Sequence, residues 1–375
     1  MSDNIEVLVS ECLNNNLIKH YFTKKKNMTY DEEDWRIKNF SRMIGYCILF
    51  KETDGIEEYM FLSDEKEQKE FLKHRIADKL GISHDEIAYR MKDIYNYIFE
   101  NFVKKGYVFH AGNSKAIEKN MKYGLSPSNP SDEEKKELMY IASIYNKYGD
   151  VNPLGWGILD IENGNNGWFY DSNPSNTFYY ADSPEWFKQF CGGNHCYAYG
   201  LVPEESRHGY ENRDYDACLL AITRLIEKYN MTETDRKKIL DFFNKCWNIF
   251  SDTEPYLLFV PVSSFMSEEE LDLIPEFYFE HEYGEEFVFD DIIEGGCSMF
   301  GGINACCYET VGPEVLSCVN LSSILPRYKM SEFAKQKEMT LQDCMRKLNG
   351  LDMSLLLKAQ EMLEGLLVAS NERGL

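Results

Sequence analysis

Apolar residues recur at three- and four-residue spacing from Ile5 to Ile18 and from Ile87 to Val103, the stripe that an amphipathic helix presents to a core. Ser83, placed ahead of Asp85 and Glu86, adds an N-cap followed by acidic first-turn residues. Between these stretches, Met43 to Phe50 and Glu58 to Leu62 flank a loop containing Asp54-Gly55 and predict a β-hairpin. Residues 1–104 are therefore assigned to a mostly helical accessory region.

The pattern changes at Gly106. Tyr107-Val108-Phe109-His110 predicts a short strand, with Ala111-Gly112-Asn113 as a turn and Ser114 to Tyr123 as a helix closed by Gly124. Glu133 to Tyr148 is also expected to be helical. The Gly- and Asn-rich tract from Gly155 to Asn176 predicts short strands or loops, and Phe178 to Ala181 predicts a strand before a helix at Pro184 to Phe190. Asp214 to Tyr229 and Thr234 to Phe250 read as a helical pair separated at Met231-Thr232-Glu233. Strand-like pieces follow at Tyr256 to Val262, Phe287 to Phe289 and Glu314 to Leu321, and the sequence from Met330 onward returns to helical periodicity. The expected fold is α+β, with a central domain over 105–328, a helical insertion at about 214–250 and a helical tail over 329–375.

Composition narrows the function. Of 375 residues, 40 are Lys or Arg and 63 are Asp or Glu, leaving a formal charge of -23. Such a surface repels phosphate backbones, so neither non-specific nucleic-acid binding nor attachment to anionic membranes is expected. Lys24-Lys25-Lys26 is a tight basic run and reads as a solvated loop. The polar opening Ser2-Asp3-Asn4 is unlike a secretory signal, and the longest strongly apolar stretch, Tyr256 to Phe265, is shorter than the ~20 residues of a spanning helix. The 11 cysteines lack C-x-x-C spacing, which suits reduced thiols in a cytoplasm. Cys191, His195 and Cys196 match no common zinc-finger spacing, so no metal is expected. The Gly pairs at 295–296 and 301–302 fit neither a P-loop nor a dinucleotide-binding fingerprint.

Three motifs carry the candidate chemistry. Tyr107 to Gly112 runs into a helix closing on Tyr123-Gly124-Leu125-Ser126-Pro127. Asn176 to Pro184 contains Tyr179-Tyr180-Ala181-Asp182, and Phe190 follows eleven residues after Tyr179. Gly312-Pro313-Glu314-Val315-Leu316-Ser317-Cys318 continues to Ile324-Leu325-Pro326. In this order the motifs resemble the His–Tyr–Glu class of ADP-ribosyltransferases, which contains diphtheria-toxin-like toxins and poly(ADP-ribose) polymerase catalytic domains. The resemblance covers 110 to 130 residues around the motifs and implies a split two-sheet core.

It also implies roles. His110 would hydrogen-bond the adenosine-side ribose of NAD, while backbone groups at Ala111 and Gly112 would clamp the carboxamide. Tyr179 and Phe190 would sandwich the nicotinamide ring by offset stacking. Glu314, with Glu286 and Glu309 as alternatives, would hold the ribose hydroxyl and stabilise the oxocarbenium-like sugar formed as the nicotinamide bond breaks. Ala111 stands where the family has Gly, and Phe190 where it has Tyr. No Glu or Gln lies two residues before Glu314, where arginine-specific relatives carry one. The implied activity is mono-ADP-ribosyl transfer from NAD, used as co-substrate, to a macromolecular acceptor expected to be a protein. The alternatives are NAD glycohydrolysis and a catalytically inactive binding or regulatory module.

Overall fold

The computed structural model describes residues 4–22, 30–62, 64–126, 131–149, 168–170, 174, 215–272, 305–307 and 309–325. Its N-terminal part is helical: α1 (Ile5–Asn14), α2 (Asn16–Phe22), α3 (Tyr30–Phe50), α4 (Ile56–Phe61), α5 (Glu65–Leu80) and α6 (Met91–Ile98). The periodicity from Ile5 to Ile18 is divided at Asn15, whose side-chain oxygen accepts from Leu17 N at 2.9 Å and starts α2 afresh. The stretch from Ile87 to Val103 is also subdivided. A 3₁₀ segment spans His84–Tyr89, and α6 passes into a π-helical segment at Phe99–Lys104. Glu86 accepts from both the backbone N and the hydroxyl of Ser83, at 3.3 and 2.5 Å, as a capping box does.

The hairpin expected between Met43 and Leu62 is not formed. Met43 to Phe50 closes α3 and Glu58 lies in α4. Every residue from Ser41 to Phe50 is buried. A helix enclosed on all sides shows a continuous apolar run instead of a stripe, and a short run of this kind has no periodicity to separate helix from strand.

The chain then enters a three-stranded antiparallel sheet built from β1 (Tyr107–Asn113), β3 (Pro255–Pro261) and β5 (Ser317–Asn320), in the spatial order β1-β3-β5. A separate antiparallel pair joins β2 (Trp168–Tyr170) to β4 (Ala305–Cys307). Ala111 to Asn113, expected as a turn, extends β1. Val108, Phe109 and Leu257 to Val260 are buried on both faces of the sheet, in the same apolar cluster as residues of α1 to α6. The N-terminal helices and the sheet therefore share one core.

A second core unites α8 (Asp132–Asn146) with α9 (Tyr215–Lys228) and α10 (Glu233–Ser251), where Ile144, Tyr145, Ile222, Ile239 and Phe243 are buried together. The expected helical pair is present, with α8 as its third member. Among the described residues, no helix is long and apolar enough to cross a membrane. The expected helical tail beyond 329 lies outside the described residues.

Candidate functional site

Two of the three sequence motifs meet. β1 carries His110, Ala111 and Gly112, and its last residue, Asn113, caps the following helix α7 (Ser114–Tyr123) by accepting from Ala116 N at 3.1 Å. The start of α7 is tied to the sheet. Ser114 N donates to the Glu254 carbonyl at 2.8 Å, Glu254 N donates to the Ser114 hydroxyl at 3.2 Å, and Asn320 Nδ2 reaches the Glu254 carboxylate at 2.7 Å. All three strands of the sheet thus converge where α7 begins.

The register defines which side chains share a face. His110 pairs with Leu258, which pairs with Cys318 on β5. With successive strands 4.7–4.9 Å apart, His110 and Cys318 lie about 10 Å from each other across β3. Gly112 has the same facing as His110, two residues along the strand. A Cβ on Gly112 would stand 3.3 Å from Ile117 Cδ1, so the missing side chain lets α7 lie close over this end of β1. His110 and Ala111 are half-buried, and Cys318, also half-buried, has its thiol pushed up to about 11 chiefly by burial.

The far end of α7 reaches the third motif. Gly124 stops the helix with φ +88°, and Leu125 forms an isolated antiparallel bridge with Val311, with N–O distances of 2.9 and 2.8 Å. Pro313 to Val315 follow as one 3₁₀ turn, and Glu314 sits in its middle. Glu314 was expected to open a strand. It instead precedes β5, because Pro313 starts a tight turn and extended pairing with β3 begins at Ser317. Glu314 is exposed and its carboxylate folds back over Gly312. Glu309 is also exposed, two residues before the bridge.

The second motif is not placed: Tyr179, Phe190 and Glu286 lie outside the described residues. Among the described residues no group of three or more His, Cys, Asp or Glu is arranged to hold a metal. A cavity of about 540 Å³ lies elsewhere, beside α1 and the connection from α3 to α4, and none of the sequence-predicted site residues lines it. Sequence reading passed over the Leu125–Val311 bridge and the role of Gly312. The Gly-Pro dipeptide at 312–313 was the available signal for a turn there. Comparison of the chain with protein-family models, curated proteins and solved structures gave no significant match.

Proposed function

We propose that this chain cleaves the nicotinamide–ribose bond of NAD and transfers ADP-ribose to a macromolecular acceptor, in the first instance a protein. One observation supports the reading above the others. The helix leading from the His110 strand ends in a backbone bridge to the segment carrying Glu314, although Leu125 and Val311 are far apart in sequence. The resemblance requires a histidine strand and a late carboxylate to serve one cleft, and this bridge ties their elements together. The three-stranded sheet and the β2–β4 pair are compatible with a split two-sheet core.

In this reading His110 holds the adenosine-side ribose, and the β1 backbone at Ala111 and Gly112 clamps the carboxamide. Tyr179 and Phe190 stack on the pyridine ring. Glu314 binds the hydroxyl of the reacting ribose and opposes the positive charge that develops as nicotinamide departs. The acceptor nucleophile then bonds to the anomeric carbon and releases its proton to solvent.

NAD isotopically labelled in the adenosine part, incubated with the purified chain and a cell lysate, tests the proposal. Label on a protein band supports transfer. Free ADP-ribose alone replaces transfer with hydrolysis, and the absence of either product overturns enzymatic function. Glu314→Gln is expected to abolish product formation. If it leaves activity unchanged, the carboxylate is another residue, and Glu286→Gln and Glu309→Gln identify which.

A further inference from the structure

Two cysteines outside the candidate site face each other. Cys12, near the end of α1, and Cys47, in the last turn of α3, have their sulfurs 3.7 Å apart although 35 positions separate them in sequence. Both are buried, at 2% and 0% exposure. A disulfide needs an S–S separation of about 2.05 Å, so side-chain rotation and a small helix adjustment have to close less than about 2 Å.

Burial ordinarily makes a cysteine inert because reagents cannot reach it. Here a cavity borders one member of the pair. Cys12 is one of the residues lining the cavity of about 540 Å³, together with Glu11, Asn15, Asp54, Glu57 and Glu58. Glu11, Glu57 and Glu58 on this lining, with Asp54 paired to Arg75 at 2.6 Å, disfavour anionic oxidants such as glutathione disulfide, while a small uncharged hydroperoxide meets no such barrier. Cys47 is not among the lining residues, and its sulfur contacts that of Cys12.

We propose that Cys12 and Cys47 are a reversible dithiol–disulfide couple, oxidised through this cavity by a small neutral hydroperoxide. Cys12 attacks the peroxide and takes one oxygen, forming a sulfenic acid and releasing water when the peroxide is hydrogen peroxide. The Cys47 sulfur then attacks the Cys12 sulfur. The C–S–OH group loses its hydroxyl, which leaves as a second water with the Cys47 proton. Overall, two thiols are oxidised by two electrons and one hydrogen peroxide is reduced to two waters. The Cys12 contact and burial hold the Cys47 thiol well above its ordinary range, so it remains protonated until it resolves the intermediate. The bond pins α1 to α3, and α1 also packs against β5, so the link reaches the sheet that carries His110.

The test uses the full-length chain and hydrogen peroxide. After exposure, the protein is unfolded in N-ethylmaleimide, digested, and its peptides mapped by mass. The expected result is a peptide pair joined through Cys12 and Cys47, lighter by two hydrogens than its components and separated by dithiothreitol. The oxidised chain should melt several degrees higher, since closing a loop of this size restricts the unfolded chain. Cys47→Ala should remove both the linked pair and the shift, whereas Cys318→Ser should leave them. Recovery of both residues as maleimide adducts, after peroxide has oxidised other cysteines, overturns the proposal. So does a link that forms only in denaturant, or Cys12 accumulating as a sulfinic acid. If Cys47→Ala fails to fold, the linked pair in the native chain still decides.

Discussion

Gly124 and Val311 are packed backbone against backbone: a Cβ on Gly124 would overlap the Val311 carbonyl oxygen, and Gly312 Cα and Pro313 Cδ would each be only 3.4 Å away. Gly124 also has φ +88°, where a side chain is strained even in open space. Two costs therefore coincide, backbone strain and steric overlap with main-chain atoms that cannot swing aside. Gly124→Ala is expected to destabilise the fold by about 1–3 kcal/mol and to loosen the Leu125–Val311 bridge. Urea unfolding of the variant checks the first effect. Hydrogen exchange at the amides of Leu125 and Val311, both bridge donors, checks the second.

Gly312 makes the contrasting case. Its φ of -64° suits any residue, but a Cβ would overlap the Glu314 carboxylate folded above it. That carboxylate is the end of a flexible side chain and moves readily. Gly312→Ala should therefore keep stability within about 0.5 kcal/mol while relocating the charge. If Glu314 acts on the ribose of NAD, product formation should fall at least about tenfold, the equivalent of roughly 1.4 kcal/mol in the barrier. Labelled-NAD assays beside thermal melts separate the two effects, and unchanged activity would place the working carboxylate elsewhere.

The legible parts of the sequence were the local ones. The helix from Ser114 to Tyr123 and its end at Gly124 match α7, because a helix stop acts through its own backbone neighbours. Met43 to Phe50 misled because burial on every side erases the stripe from which a helix is read. The Leu125–Val311 bridge had no local signature at all. It depends on β5 pairing beside β3, which brings the distant Gly-Pro turn to the end of α7. Of the proposed site, His110 and Glu314 can be placed in the fold, and the stacking pair Tyr179 and Phe190 lies outside the described residues.

Arg42 is a buried cation with 5% exposure whose two terminal nitrogens are met by dipoles, its Nε having no hydrogen-bond partner among the described residues. Its guanidinium donates to Asn39 Oδ1 at 2.7 Å and to the carbonyls of Tyr59 and Leu62, at the end of α4, at 3.0 and 3.4 Å. It also lies 5.0 Å from the centre of the Tyr59 ring. Burial raises the Tyr59 phenol to about 12, with Arg42 pulling it the other way. Arg42→Ala removes the fork and leaves Asn39 Oδ1 without this donor, while Tyr59 O keeps Leu62 N and Leu62 O keeps Gln68 Nε2, which predicts a loss of about 1–3 kcal/mol. Arg42→Lys should recover only part of that, because an ammonium cannot span acceptors on both α3 and α4 in the same plane. Denaturant melts of the two variants check the order.

Asp235 predicts an acid-sensitive joint in the three-helix unit. Its carboxylate accepts from the Tyr148 hydroxyl at 2.7 Å and the Thr232 hydroxyl at 3.0 Å, with Lys147 at 3.4 Å. These partners, led by Tyr148, hold its carboxyl below the usual aspartate range. Because the folded value lies below the unfolded one of about 3.9, the charged form contributes stability at neutral pH. That contribution is complete above the unfolded value and disappears as pH falls through the lower, folded value. Tyr148→Phe raises the folded value toward the unfolded one. It should therefore cost about 1–2 kcal/mol at pH 7 and nothing from this source once Asp235 is protonated in both states. Unfolding free energies of the native chain and Tyr148→Phe, measured from pH 7 downward, should draw together as the pH falls through the folded Asp235 value. Parallel curves across that range would show that Tyr148 acts through packing or the bond it accepts from Thr232 N at 3.0 Å, and not through the Asp235 charge.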